Sequence, residues 1–273
     1  LAASSPTGPA FEGAQISCGQ RAAPGAVERV RIDPQTLEPR FKVIGCDLWS
    51  DEAGFDTAAQ TVGITGICGS GIIEVVAQMY LAGVVSRDGV INGALAGHSK
   101  RVVPDGRTFA YVLHDADIRL AVTQKDVRSI QLAKAALYAG VRLLLDKLGV
   151  EQVDRIRLAG AFGSQIDVKY AMVLGLIPDC PLASVTSAGN AAGTGAHIAL
   201  VDANARVEIE REVRRIEKVE TAIESRFQEH FVQAMGIPHH SAAFPYLASE
   251  VELPTPVAAG AVTSGRGRRR RQR

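Results

Sequence analysis

The sequence lacks any apolar run long enough to span a membrane, because Glu74 and Gln78 interrupt its most hydrophobic stretch. Its opening, "LAASSPTGPAFEGAQ", has no basic segment followed by an apolar one, so a signal peptide is not expected there. It also has no initiator Met, and the expectation is a fragment or a chain numbered from an internal point. No Gly-x-x-x-x-Gly-Lys-Ser/Thr occurs, which removes the phosphate loop of that class of nucleotide hydrolases. Cysteine is scarce: the four residues at 18, 46, 68 and 180 form no Cys-x-x-Cys pair and no iron–sulfur spacing. Reduced thiols and a cytoplasmic protein are the simplest expectation.

Net charge is also nearly absent, at +1, but unevenly so. "GRGRRRRQR" at 265–273 carries six Arg and no acid, and the 24 basic and 29 acidic residues left outside it give −5. A nucleic-acid-binding domain carries its positive charge on the fold, so no specific nucleic-acid partner is expected. Residues 254–273 read as a disordered, solvated Arg-rich tail with little apolar surface to bury. With 47% hydrophobic and 22% charged residues, the remainder suits a globular protein of one large domain or two lobes.

What is present is a strand–helix alternation punctuated by glycine. Strand-like pieces "RVRI" and "FKVIG" lie in a turn-rich first sixty residues, and "TVGITGI" is a β-rich run that meets the turn "CGSG". "IIEVVAQMYLAG" is apolar round most of its circumference and should be a buried helix ending at Gly83. "TFAYVLH" reads as another strand. Thr123 and Asp126 make a capping-box-like start for a helix over 124–148, with Val127, Ile130, Leu137, Val141, Leu144 and Leu148 at helical spacing and Gly149 as its stop. Lys134 is expected on its exposed side. The strand "RIRLAGAF" at 155–162 should pack beside this helix. "VKYAMVLG" is a short helix, and Asn190 opens "NAAGTGAHIALV", a helix of small residues. Ser225 and Gln228 suggest a capping box for a helix whose face carries Phe227, Phe231 and Met235. The succession argues for an α/β fold.

Three glycine clusters, "GICGSG" (66–71), "GAFG" (160–163) and "GNAAGTG" (189–195), lie between strand-like runs and helices. Backbone N–H groups at a helix start attract anions, and glycine removes the side chain that would block approach. Gly69, Ser70, Gly71, Gly160, Ala161, Phe162, Gly163, Gly189 and Asn190 are therefore the candidate ligand-binding residues. Tight packing of two elements is the competing account of each cluster. "GSGIIE" begins like a dinucleotide fingerprint, but Glu74 stands where the third glycine should be, which weakens a dinucleotide-binding oxidoreductase. Cys68 at a helix start is a candidate nucleophile or a small buried thiol. His239 and His240 lack the partners of a metal site, and no metal ligands are assigned.

Together, "SSPTGPAFEGAQISCG", "GITGICGSGIIEVV", "VTQKDVRSIQLAKAAL", "IRLAGAFGSQID", "GNAAGTGAHIALV" and "RFQEHFVQAMGIPH" resemble the C-terminal domain of the reductive activators of corrinoid enzymes, over residues 1–250 in order. The resemblance implies an actin-like, sugar-kinase-like ATPase fold, incomplete at the N-terminus. It implies ATP with Mg2+ as cofactor of the complete domain, with "LAGAFG" against the adenosine and "GICGSG" and "GNAAGTG" as helices packed at the hinge between lobes. It implies a role in returning cob(II)alamin of a corrinoid methyltransferase protein to cob(I), the electron coming from a 2Fe-2S cluster in a separate N-terminal domain. The Asp-x-Gly-Thr turns that hold phosphate and magnesium in such folds are absent from these residues. Alone, the chain is expected neither to carry electrons nor to hydrolyse ATP efficiently. A non-enzymatic docking module for a corrinoid protein is the alternative, and a homodimer stays open.

Overall fold

The computed structural model describes residues 1–254. The expectation of a disordered tail falls, apart from Pro254, on residues outside that range.

The chain opens with strand β1 (Ala2–Ala3) and a single 3-10 turn at Ala10–Glu12. β2 (Ala26–Ile32) and β3 (Pro39–Val43) form an antiparallel hairpin. After the short helix α1 (Phe55–Ala59), β4 (Gly66–Ile67) joins the other edge of β2 in parallel, and α2 (Gly69–Leu81) follows at once. β5 (Val102–Asp105), β6 (Thr108–Asp115) and β7 (Arg119–Thr123) make an antiparallel meander that runs straight into α3 (Gln124–Leu148). β8 (Ile156–Ala159) and β9 (Val185–Gly189) pair in parallel, with α4 (Ala161–Gln165) and α5 (Val168–Leu174) between them. α6 (Ala191–Val201) and α7 (Ala203–Val213) precede β10 (Lys218–Val219), which pairs in parallel with β1. α8 (Phe227–Gln233) and α9 (Pro245–Glu250) close the described chain.

The α/β character read from the sequence is present, with several boundaries moved. Of "TVGITGI", only Gly66 and Ile67 are strand. The strand expected over 155–162 stops at Ala159, because Gly160 turns with φ 98 and ψ 164 and Phe162 already lies in α4. α8 starts at Arg226 without a side-chain cap, so the Ser225–Gln228 box does not form.

α2 is buried along nearly its whole length, as its all-round apolar sequence requires. Its Gly71 sits against β2: a Cβ there would overlap the Val27 carbonyl oxygen. Glu74, placed one turn further, is fully buried and accepts from Arg29 Nη1 at 2.9 Å, Arg31 Nη1 at 2.6 Å and Val30 N at 2.9 Å. Arg31 also lies over the Tyr170 ring, 4.5 Å from its centroid. The residue that spoils the dinucleotide fingerprint is thus the centre of a clasp joining β2, α2 and α5.

α3 begins with the capping box expected from Thr123 and Asp126 and ends at Gly149 in the left-handed region. Asp126 reaches further, accepting from Ser17 N at 2.9 Å and Ser17 Oγ at 3.0 Å, which ties the N-terminal loop to the helix. Its buried face differs from the periodic one. Val127 and Ile130 are buried, Leu137, Val141 and Leu144 only partly so, and Leu148 is exposed, while Leu143 and Leu145 are buried instead. α3 packs chiefly against α8 rather than beside β8, which is not among its main partners. Lys134 is not exposed: it is completely buried. The helix is covered on more than one side, so a single stripe does not describe it.

Candidate functional site

A cavity of about 920 Å³ lies between the N-terminal loop, the start of α2 and the β8–α4 turn. That volume is in the range of small-molecule sites. Gly69, Ser70, Ala161, Phe162 and Gly163 line it, so two glycine clusters far apart in sequence meet at one opening.

The clusters have different local reasons. Gly160 adopts a backbone conformation that side chains other than hydrogen scarcely tolerate, and its missing Cβ faces open space. Its N–H donates to the Gly189 carbonyl at 2.7 Å, locking the ends of β8 and β9 together. Gly163 lies in α4, where a Cβ would stand 3.2 Å from Leu158 Cβ, and Leu158 itself lines the cavity. Gly69 is the tightest position. A Cβ there would overlap the Phe11 carbonyl oxygen and come within 2.5 Å of Phe162 Cε2. Phe162 is 41% exposed, its ring centroid 6.4 Å from that of buried Phe11. The ring is partly open beside the cavity that it lines.

Not every candidate arrives there. Gly71 faces β2, away from the cavity lining. Gly189 supports Gly160 from behind, and Asn190 caps α6 by accepting from Gly193 N at 3.0 Å. α2 and α6, both read as hinge helices, differ sharply, since no residue of α6 is buried among the described residues.

The sequence reading missed most of the cavity's other wall. Ser5, Thr7, Phe11 and Glu12 line it from the N-terminal loop, with Gln20 and Arg21 beyond. The Gly8–Pro9 and Gly13 turn residues were the available signal. α3 contributes Leu137. Arg21, Arg157 and Glu12 are the charged groups in the lining, and α2 starts there with no side-chain cap on its first-turn amides.

Cys68 is the N-cap of α2, but its thiol is buried and donates to the Val27 carbonyl at 3.3 Å. That is the packing role, not the nucleophile. Cys18, Cys46 and Cys180 are likewise free, and no three His, Cys, Asp or Glu side chains converge on a metal position among the described residues. His239 is buried against Tyr138, and burial together with the neighbouring cations pushes its imidazole down to about 4. No described helix is long and apolar enough to cross a membrane.

The fold is of the actin-like ASKHA class, here as a mixed α/β domain. The family model described as the C-terminal domain of RACo, the ASKHA domain, matches residues 1–248, and the chain belongs to that family. It is 35% identical over 211 residues to the corrinoid activation enzyme RamQ of Eubacterium limosum, covering 73% of this chain and 33% of RamQ. Among solved structures it resembles the reductive activator for corrinoid, iron-sulfur protein, with 31% identity and a TM-score of 0.71 over 85% of this chain and 35% of that one. The chain spans about a third of the length of these relatives.

Proposed function

We propose that this chain supplies the nucleotide-facing part of an ATP-dependent reductive activator, which returns cob(II)alamin on a corrinoid protein of a cytoplasmic methyltransferase system to cob(I). The observation that carries this is the meeting of Gly69–Ser70 and Ala161–Gly163 at one cavity, in a chain whose relatives are corrinoid activators. Gly160 shapes the β8 turn, the open face of Phe162 offers a platform to the base, and Leu158 and Leu137 supply apolar wall. The uncapped amides at the start of α2, with Arg21 and Arg157, are the groups suited to phosphate oxygens.

The fit to magnesium is poorer. Glu12 is the one carboxylate in the described lining, so the metal would be held by ATP's own phosphates and by groups beyond these walls. The electron for cobalt comes, in this proposal, from a 2Fe-2S centre outside these residues, since the four cysteines here are scattered and lone. ATP contributes binding energy and phosphoanhydride hydrolysis, while this chain's part is to hold the nucleotide.

In the full-length protein, titration calorimetry should show Gly163→Val weakening ATP binding by about 1 kcal/mol or more, roughly fivefold, as Leu158 is pushed into the cavity. Circular dichroism should stay unchanged. Wild-type protein that binds no ATP while still capturing its corrinoid protein would overturn this assignment in favour of a docking module.

A further inference from the structure

Buried ionisable groups far from charge partners are rare, and one here lies outside the cavity. Lys134 is completely buried in α3, and among the described residues no carboxylate pairs with it. Its Nζ donates to two backbone carbonyls, those of Gly236 and, at 2.7 Å, Pro238. An ammonium has three hydrogens and a neutral amine has two. Two acceptors in a dry site therefore match the neutral form, and a third hydrogen would be left without a partner.

The loop that Lys134 holds is gripped from several sides. Arg87 donates to His239 O at 2.9 Å and to His240 O at 2.7 Å, and Gln131 Nε2 donates to Met235 O at 2.7 Å. His239 turns its ring onto Tyr138, centroids 4.9 Å apart, and its Nδ1 accepts from Ser241 N at 3.2 Å and Ala242 N at 2.9 Å. An imidazolium nitrogen has no lone pair for those two bonds, so His239 also has to be neutral. The groups facing this pair are Arg87, Arg142, His240 with Asp88 3.7 Å away, the buried hydroxyl of Tyr138, and Asp179, which caps α9. Among the described residues neither acid forms an ion pair with Lys134 or His239, so none relieves a new positive charge.

We propose that segment 235–242 is a latch closed by two uncharged bases, Lys134 and His239, and loosened when a proton charges either one. The latch touches the cavity wall from behind. Gly175 sits so close that a Cβ would overlap the Pro238 carbonyl, and the next residues, Leu176 and Ile177, line the cavity. The latch stands on this geometry and not on what the cavity binds.

Burial pushes the Lys134 amine down to about 7. Its folded pKa lies below the ordinary lysine value, so the unfolded chain binds the extra proton and stability rises with pH from about 7 to about 10. His239 acts in the same direction between about 4 and 6.5. A conventional ammonium clamp would do the opposite, losing its grip as the pH approaches 10.

The test uses the full-length protein labelled with 13C at lysine Cε. Lys134 is assigned by loss of its signal in Lys134→Met, and its shift should titrate near pH 7. Amide exchange at Ile237 and His240, both hydrogen-bonded across the latch, should slow by up to about tenfold per pH unit from pH 7 to 9 after correction for the intrinsic rate. If Lys134→Met does not fold, the wild-type titration and exchange decide alone. A Lys134 signal that stays charged past pH 9, or latch protection that falls over that range, overturns the proposal.

Discussion

Replacing Gly69 by alanine is expected to be the most damaging single-methyl change among the glycines that line the cavity. The new Cβ would meet two obstacles of different kinds. Phe162 is half open to solvent and can rotate away, but the Phe11 carbonyl belongs to the backbone of the Ala10–Glu12 turn. The loop that follows this turn is tied through Ser17 to Asp126 of α3, which limits how far the turn can retreat. Overpacking of this type costs about 1–3 kcal/mol. For a domain of this size each kcal/mol lowers the melting temperature by about 2–4 °C. Phe11, Glu12 and Phe162 all line the cavity, so ATP binding in the full-length protein should fall by about tenfold or more. The combination Gly69→Ala with Phe162→Leu separates the two obstacles. It should recover little of the lost stability, because the carbonyl clash remains. Full recovery would mean that the aromatic contact alone had set the glycine.

Glu74→Ala is the second large effect, and it acts on the fold. Its carboxylate satisfies the buried Val30 N–H and bridges Arg29 and Arg31, whose side chains are 30% and 29% exposed. Removing one member of a buried ion pair costs about 3–5 kcal/mol. The two guanidinium groups can partly rehydrate, so the lower end, about 3 kcal/mol, is expected, or about 6–12 °C in melting temperature. Glu74→Gln should lie between wild type and alanine, because its amide oxygen can still accept from Val30. Chemical denaturation with unchanged slope is the measurement. A loss below about 1 kcal/mol for alanine would show that β2 and α2 are held together by apolar packing alone.

Glu74's role was not open to inspection of the sequence. Glu74 read as a flaw in a glycine fingerprint, because a linear motif shows which residue is missing and not which partners have arrived. Arg29 and Arg31 lie more than forty positions away. Lys134 shows the same limit. Charged residues in long helices are normally solvated, and only the loop that folds back from 235–240 supplies the carbonyls that let it be buried.

The sequence by itself determined the elements whose causes are local. The Thr123–Asp126 capping box, the Gly149 stop and the all-round apolar α2 depend on residues within a few positions of one another, so spacing and residue type suffice. Six segments in order also carried the resemblance to the family. The tertiary structure alone decided which glycines face the cavity and which face a neighbouring strand: Gly69 looks inward while Gly71, two residues on, lies under Val27. It decided that Leu137 and the Ser5–Glu12 loop share the cavity with β8. The physical reason is that burial and cavity shape are set by contacts between residues distant in sequence. Local preference fixes a helix or a turn, and the packing of that element fixes which of its sides a ligand can reach.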